Sequence, residues 1–137
     1  MTIKDTALAF FDACETGAGW EVCQDWCLAD ASFGCQADAL AETKTLADYC
    51  AWMKGLLTPV PDGRYVLTGF AADPDRNTVL ATAEFHGSQT GEGGPVAPTG
   101  KSVTSDYAYV IQFEGDKIAH MTKIWNDVQA LRGLGWA

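Results

Sequence analysis

Few side chains in this sequence can move a proton near neutral pH, and most of them gather towards its C-terminal end. There are two histidines, His86 and His120. Gly115-Asp116, between Glu114 and Lys117, has the form of a two-residue hairpin turn, and a hairpin fixes which residues share a face of a sheet. Counted from that turn, Phe113 pairs with Ile118, Ile111 with His120, Tyr109 with Thr122, Tyr107 with Ile124 and Ser105 with Asn126. One face then carries Tyr107, Tyr109, His120, Thr122 and Asn126 among large apolar side chains. An imidazole beside phenol hydroxyls in a dry pocket suits general acid–base work: the ring takes a proton, and the hydroxyls donate to the charge that develops. His120 lies near the hairpin end, where it is either that base or a rim residue. A single bulge in the last strand would exchange the faces of Asn126 and Asp127 and make Asp127 the base. Alternation groups His86 with Glu84 and Thr82, away from Val79, Ala81, Ala83 and Phe85, so it reads as a surface histidine held in reserve.

Other chemistries find little footing. There is no G-x-S-x-G elbow, no G-x-x-x-x-G-K-[ST] and no G-x-G-x-x-G opening a helix. Gly91-x-Gly93-Gly94 joins two strands, so no helix N-terminus stands ready for a phosphate. Two histidines without H-x-x-x-H spacing argue against catalytic zinc. The five cysteines are Cys14, Cys23, Cys27, Cys35 and Cys50. Cys23 and Cys27 would share a helix face as a ligand pair, but no local histidine completes the set. Buried thiols acting as small hydrophobes fit better. Neither a metal nor an organic cofactor is expected.

The elements that must position these groups divide by hydrophobic period. Thr2-x-x-Asp5 caps a first helix through Cys14, with Ala7, Phe10, Phe11 and Cys14 inward. A shorter helix runs from Trp20 to Cys27, a short strand from Ala31 to Cys35, and a third helix from the Thr45 cap through Leu57. Trp20, Trp52 and Met53 on these helices read as core and pocket wall. From residue 65 the pattern alternates, giving strands over 65–72, 78–89, 101–114 and 117–127 and a helical turn or two over 128–134. Helices first and a meander afterwards make an α+β domain, a sheet covered by three helices that leave a hollow at its wide end. The opposite sheet face still carries Val110, Met121 and Trp125, which points to a second subunit packed there.

Composition bounds the partners. The 137 residues suffice for one core, so a single domain over 1–137 is expected. Eighteen acidic residues against nine basic ones give a net charge of −9, which repels both nucleic acid and an anionic leaflet. No basic-then-apolar leader opens the chain and no apolar run approaches the roughly 18 residues of a membrane span, so the expected location is cytoplasmic.

Residues 85–135 carry a resemblance. Gly91-Glu92, then Pro98-Thr99-Gly100-Lys101, Phe113, Gly115, Lys117-Ile118, and Ala130-Leu131-x-x-Leu134-Gly135 resemble the SnoaL-like polyketide cyclase branch of the NTF2-like superfamily. The pattern there is T-H-T-G-E-F, P-P-T-G-K, F-x-D-G-K-I and a terminal L-L-x-Q-L-G. The resemblance implies an α+β cone, three N-terminal helices packed on a strongly curved antiparallel sheet, often dimerising through the sheet. It also implies metal-free, cofactor-free acid–base chemistry by a pocket carboxylate and a nearby histidine. Here the family histidine falls on Gln89, the strand-ending aspartate on Asn126 with Asp127 adjacent, and the strand tryptophan on Thr122 with Trp125 three residues later. Two readings stay open. One is a cofactor-independent enzyme acting by proton transfer (cyclisation, isomerisation or dehydration) on a hydrophobic carbonyl-containing metabolite, through His120, Asp127, Asn126, Gln89 or His86. The other is a non-catalytic module that binds a small apolar ligand or a protein partner.

Overall fold

Thr2 opens the first helix, α1 (Ile3–Glu15), with a reciprocal cap: its Oγ1 accepts from the Asp5 amide at 3.1 Å, and Asp5 Oδ2 accepts from the Thr2 amide at 3.1 Å. The stripe Ala7, Phe10, Phe11, Cys14 is fully buried. Glu15, four residues after Phe11, extends that stripe and ends the helix. A short α2 (Trp20–Cys23) gives way to a 3-10 turn, and the chain is already extended at Cys27, so β1 (Cys27–Cys35) is longer than its sequence pattern indicates. α3 (Leu46–Leu56) starts at Thr45, whose Oγ1 accepts from the Asp48 amide at 3.1 Å. The strands β2 (Arg64–Asp73), β3 (Thr78–Ser88), β4 (Ser102–Glu114) and β5 (Lys117–Trp125) follow, then α4 (Asp127–Leu134). These elements come from a computed structural model that describes residues 1–137.

The five strands form one sheet in the order β1-β5-β4-β3-β2. β2 to β5 meander antiparallel, as hairpins require, while β1 lies parallel to β5 at the far edge. The long connection from β1 through α3 and the meander leaves that pair free of the hairpin constraint. α1 and α3 cover one face, and a core of 22 buried residues fills the space between, with Phe10, Phe11, Tyr49 and Met53 meeting Tyr109, Ile111 and Met121. No helix is long and apolar enough to cross a membrane.

One residue decides which β5 side chains enter that space. Phe113 pairs with Ile118 across the Gly115-Asp116 turn, where Gly115 takes φ +62°, but Gln112 pairs with His120. Ala119 is therefore an extra residue, a bulge one step past the first pair. The β1–β5 register breaks at the same step, with Cys27 opposite Ile118 and Ser32 opposite His120. Asn77, left-handed at φ 49°, holds the neighbouring turn by donating its side-chain amide to the Phe113 and Gly115 carbonyls at 3.2 Å each. Beyond the bulge the alternation is inverted relative to the sequence count. Met121, Lys123 and Trp125 point inward; His120, Thr122 and Ile124 point outward.

Candidate active site

The inner face carries a continuous chain of polar atoms through an otherwise aromatic interior. Lys123 Nζ on β5 donates to the Tyr49 hydroxyl of α3 at 3.0 Å. That hydroxyl bonds to the Tyr109 hydroxyl of β4. Tyr109 donates to Glu15 Oε2 at 2.9 Å, and Tyr107, two residues along the same face, donates to Glu15 Oε1. Since Tyr109 gives its proton to Glu15, the Tyr49 hydroxyl is the donor to Tyr109. Every hydrogen bond then runs one way, from ammonium to carboxylate.

Burial sets the electrostatics. Glu15 is 2% exposed and Lys123 6%. Burial pushes the Glu15 carboxyl up, against the opposing pull of the Lys123 charge and the two tyrosine donors. Burial pulls Lys123 down from 10.5 to about 8, with the Glu15 charge opposing it. Desolvation also raises the phenols of Tyr49, Tyr107 and Tyr109, so they remain donors. The Lys123 ammonium sits 4.2 Å from the Trp125 ring centroid and between 5.2 and 5.3 Å from those of Tyr49, Trp52 and Tyr107. Trp125 is fixed in turn by its indole N–H, which donates to Ser105 Oγ at 2.9 Å.

A narrow cavity opens from these groups towards α4, and 11 of its 14 lining residues are hydrophobic. Glu15, Lys123, Tyr107 and Ser105 are its polar wall; Trp52, Met53, Phe85, Leu131 and Trp136 belong to its apolar one. α4 closes the wide end against β4, where a Cβ on Gly133 would lie 2.5 Å from Val103 Cγ2. The indole N–H of Trp136 is buried without a hydrogen-bond partner. An acceptor on a ligand would satisfy it. A carboxylate with a raised pKa, facing apolar space beside fixed donors, can take a proton from carbon and stabilise the resulting anion.

The structure distributes the residues expected from sequence between this cavity and the surface. Tyr107, Trp52 and Met53 line the cavity, and Tyr109 stands behind it in the hydrogen-bonded chain. Trp20 is half-buried against the core but outside the cavity wall. His120 and Thr122 face outward because of the Ala119 bulge: His120 shares its ring nitrogens between Ser32 Oγ at 2.7 Å and Thr122 Oγ1 at 3.0 Å. Asn126 caps α4 by accepting from the Gln129 amide at 3.2 Å. Asp127 does not enter the cavity either, since β5 ends at Trp125; its Oδ2 accepts from the Ala39 amide at 2.9 Å and ties down the turn at 38–40. Gln89 is fully buried yet spends its amide on the glycine-rich loop, giving to Gly91 O at 3.0 Å and accepting from the Thr99 amide at 2.6 Å. His86 bonds Glu84 at 3.1 Å and Thr104 at 3.1 Å in a surface groove. Met121 and Trp125 turn inward, whereas Val110 stays on the outer face opposite Leu80, and Val66, Leu80 and Ile124 are 46 to 61% exposed there. All five cysteines are free thiols, four of them buried.

Glu15 and Lys123 are the two groups that the sequence pattern concealed. Each has a signal in hindsight: a carboxylate continuing an apolar helical stripe, and an amine flanked on its own face by Met121 and Trp125.

A helix-covered, curved sheet with a polar chain buried in its hollow defines an α+β cone of the NTF2-like kind. The sequence profile of the SnoaL-like polyketide cyclases matches residues 5–134, and the chain belongs to that family. No functionally curated protein is detectably similar to it. Among solved structures, a candidate SnoaL-like polyketide cyclase from Jannaschia sp. CCS1 superposes with a TM-score of 0.78 at 15% identity, over 97% of this chain and 91% of that one. AclR from Streptomyces galilaeus, a candidate hydroxylase, gives 0.77 at 19% identity over 98% and 82%. IdmH from Streptomyces antibioticus, a candidate polyketide cyclase, gives 0.75 at 19% identity over 98% and 99%. At these identities the likeness is one of fold.

Proposed function

We propose that the protein is a cofactor-independent enzyme that transfers a proton to and from carbon next to a carbonyl in a small hydrophobic molecule. Cyclisation, isomerisation and dehydration all begin with that step. The observation that carries this reading is Glu15: a carboxylate with a raised pKa, 2% exposed, held by two tyrosine hydroxyls at the wall of an apolar cavity. In this role it is the base, and the Lys123 ammonium, with N–H donors to spare, stabilises the enolate oxygen. Hydrogen exchange at the α-carbon of benzylacetone, followed by NMR in deuterated buffer, tests it. Glu15→Gln keeps the shape and one acceptor but removes the base, so exchange should fall by about 10²- to 10⁴-fold. Exchange no faster than in buffer alone, with benzylacetone still bound, would favour the binding-module reading instead.

We also propose that two copies pair through the outer sheet face, where Val66, Leu80 and Ile124 leave apolar surface in water. Light scattering at micromolar concentration should report a dimer, and Ile124→Lys a monomer. A wild-type monomer would overturn the pairing.

A further inference from the structure

Lys123 is more than a counter-charge needs to be. The ammonium has three N–H donors and one oxygen partner, the Tyr49 hydroxyl, and four aromatic rings lie around it. It does not touch Glu15 directly, yet two hydroxyls connect them in one direction. A proton can therefore leave Lys123 by three short hops: ammonium to Tyr49, Tyr49 to Tyr109, Tyr109 to Glu15. The result is a neutral amine and a neutral carboxylic acid, the state in which Lys123 is a nucleophile and Glu15 an acid. No bulk water takes part. The groups facing Lys123 are Glu15 and Cys14 from α1, Tyr49 from α3, Tyr107 and Tyr109 from β4, and Cys35 from β1, and Glu15 is the acceptor the hydrogen bonds lead to.

We infer that Lys123 is an amine nucleophile that forms an iminium with the aldehyde or ketone carbonyl of an apolar ligand in the cavity, with Glu15 as its proton partner. This rests on the proton-transfer reading above and deepens it. The Nζ lone pair attacks the carbonyl carbon, a C–N bond forms, and the C=O π pair moves to oxygen, which takes up the proton released by nitrogen. Protonated Glu15 then gives its proton to that hydroxyl and water departs, leaving a cationic iminium and a Glu15 carboxylate. The iminium acidifies the adjacent C–H, and the same carboxylate removes that proton to give an enamine. Reprotonation at carbon and hydrolysis by water regenerate the free amine. The ligand class is a neutral aldehyde or unhindered ketone on an aromatic or alkyl body, since the cavity offers hydrophobic walls and no second cation.

Trapping the iminium decides the matter. The protein is incubated with phenylacetaldehyde or benzylacetone and cyanoborohydride, which delivers hydride to the iminium carbon, and the labelled residue is found by peptide mass mapping. The expected adduct gains the mass of the probe less one oxygen and sits on Lys123. The other five lysines are exposed and serve as internal controls. At pH 8 an amine with a pKa of about 8 is half free, so Lys123 should label about a hundred-fold faster than an amine at 10.5. Lys123→Arg keeps a cation in the cage but cannot form an iminium, and it should abolish both the label and α-hydrogen exchange. Wild-type protein that labels its exposed lysines and spares Lys123 overturns the inference, whether or not the variant folds. If Lys123→Arg still exchanges α-hydrogens, the covalent step is wrong and the proton-transfer reading stands. If wild-type protein neither labels Lys123 nor exchanges, both fall.

Discussion

On the outer face of β5, His120 divides its two ring nitrogens between Ser32 and Thr122, with Ser32 open to solvent. On the inner face, three residues further on, Lys123 has one oxygen partner and four ring faces around it. By residue type the imidazole is the better base near neutral pH and the lysine the poorer. Placement decides instead which of the two can meet a ligand. The histidine is satisfied by two hydroxyls and faces away from the cavity. The lysine has lost its water, and with it part of its hold on its proton. A proton-transfer group is therefore chosen by the face it stands on, and here one extra residue in a strand determines the face.

The sharpest way to break this contrast is to delete single residues on either side of the step. A deletion within a strand ordinarily turns every later side chain to the other face. Removing Thr122, downstream of the bulge, turns Lys123 and Trp125 outward and brings Ile124 into the hollow. That should cost more than about 5 kcal/mol, comparable to the stability of a whole domain, and leave no cooperative unfolding transition. Removing Ala119 should do the reverse of the usual damage. The residue it deletes is the one without a β4 partner, so Gln112–His120, Ile111–Met121 and Tyr109–Lys123 all keep their pairing. The expected cost is about 1–3 kcal/mol, and α-hydrogen exchange should survive. Circular dichroism melts and the exchange assay on the two deletions read both outcomes; loss of exchange in the Ala119 deletion would mean the faces are set elsewhere.

Much of the architecture was legible because it depends on local rules. Thr2 and Thr45 sit three residues before a carboxylate and cap their helices, Gly115-Asp116 makes the hairpin, and alternation from residue 65 onward gives the strands. The family's α+β cone also followed from motifs in the loop and hairpin. The site was harder to read because it depends on register. A bulge one pair beyond the turn leaves no composition signal; Ile-Ala-His alternates as well with the extra residue as without it. The inversion made His120 and Thr122 look like cavity groups and hid Lys123 among outward ones. Asp127 was singled out among 18 carboxylates for its place near the end of β5, yet α4 begins there and turns it to a backbone amide. Glu15 was missed for a different reason. A glutamate at the end of an amphipathic helix is usually solvated, and only the tertiary approach of Tyr107 and Tyr109, more than 90 residues later in the chain, gives it partners.

The gentlest test compares the two faces by the pH dependence of stability in Lys123→Met and His120→Ala. Lys123 has a folded-state pKa of about 8 against 10.5 for an ordinary lysine. Between those values the unfolded chain holds a proton that the folded one has given up, so raising the pH stabilises the fold through this group. The penalty for burying the charge is fully present below pH 8 and vanishes above 10.5, a swing of about 3 kcal/mol. The other groups pushed upward by burial, including Tyr49, Tyr107 and Tyr109, act in the opposite direction above their ordinary values but are common to both proteins. The difference in unfolding free energy, wild type minus Lys123→Met, should therefore climb from pH 8 to pH 10 in urea titrations. His120→Ala removes two hydrogen bonds at a half-buried surface position, which should lower stability by about 0.5–1 kcal/mol with no such climb. A flat Lys123→Met difference would mean that water reaches the amine, and the contrast between the two faces of β5 would then be one of geometry alone.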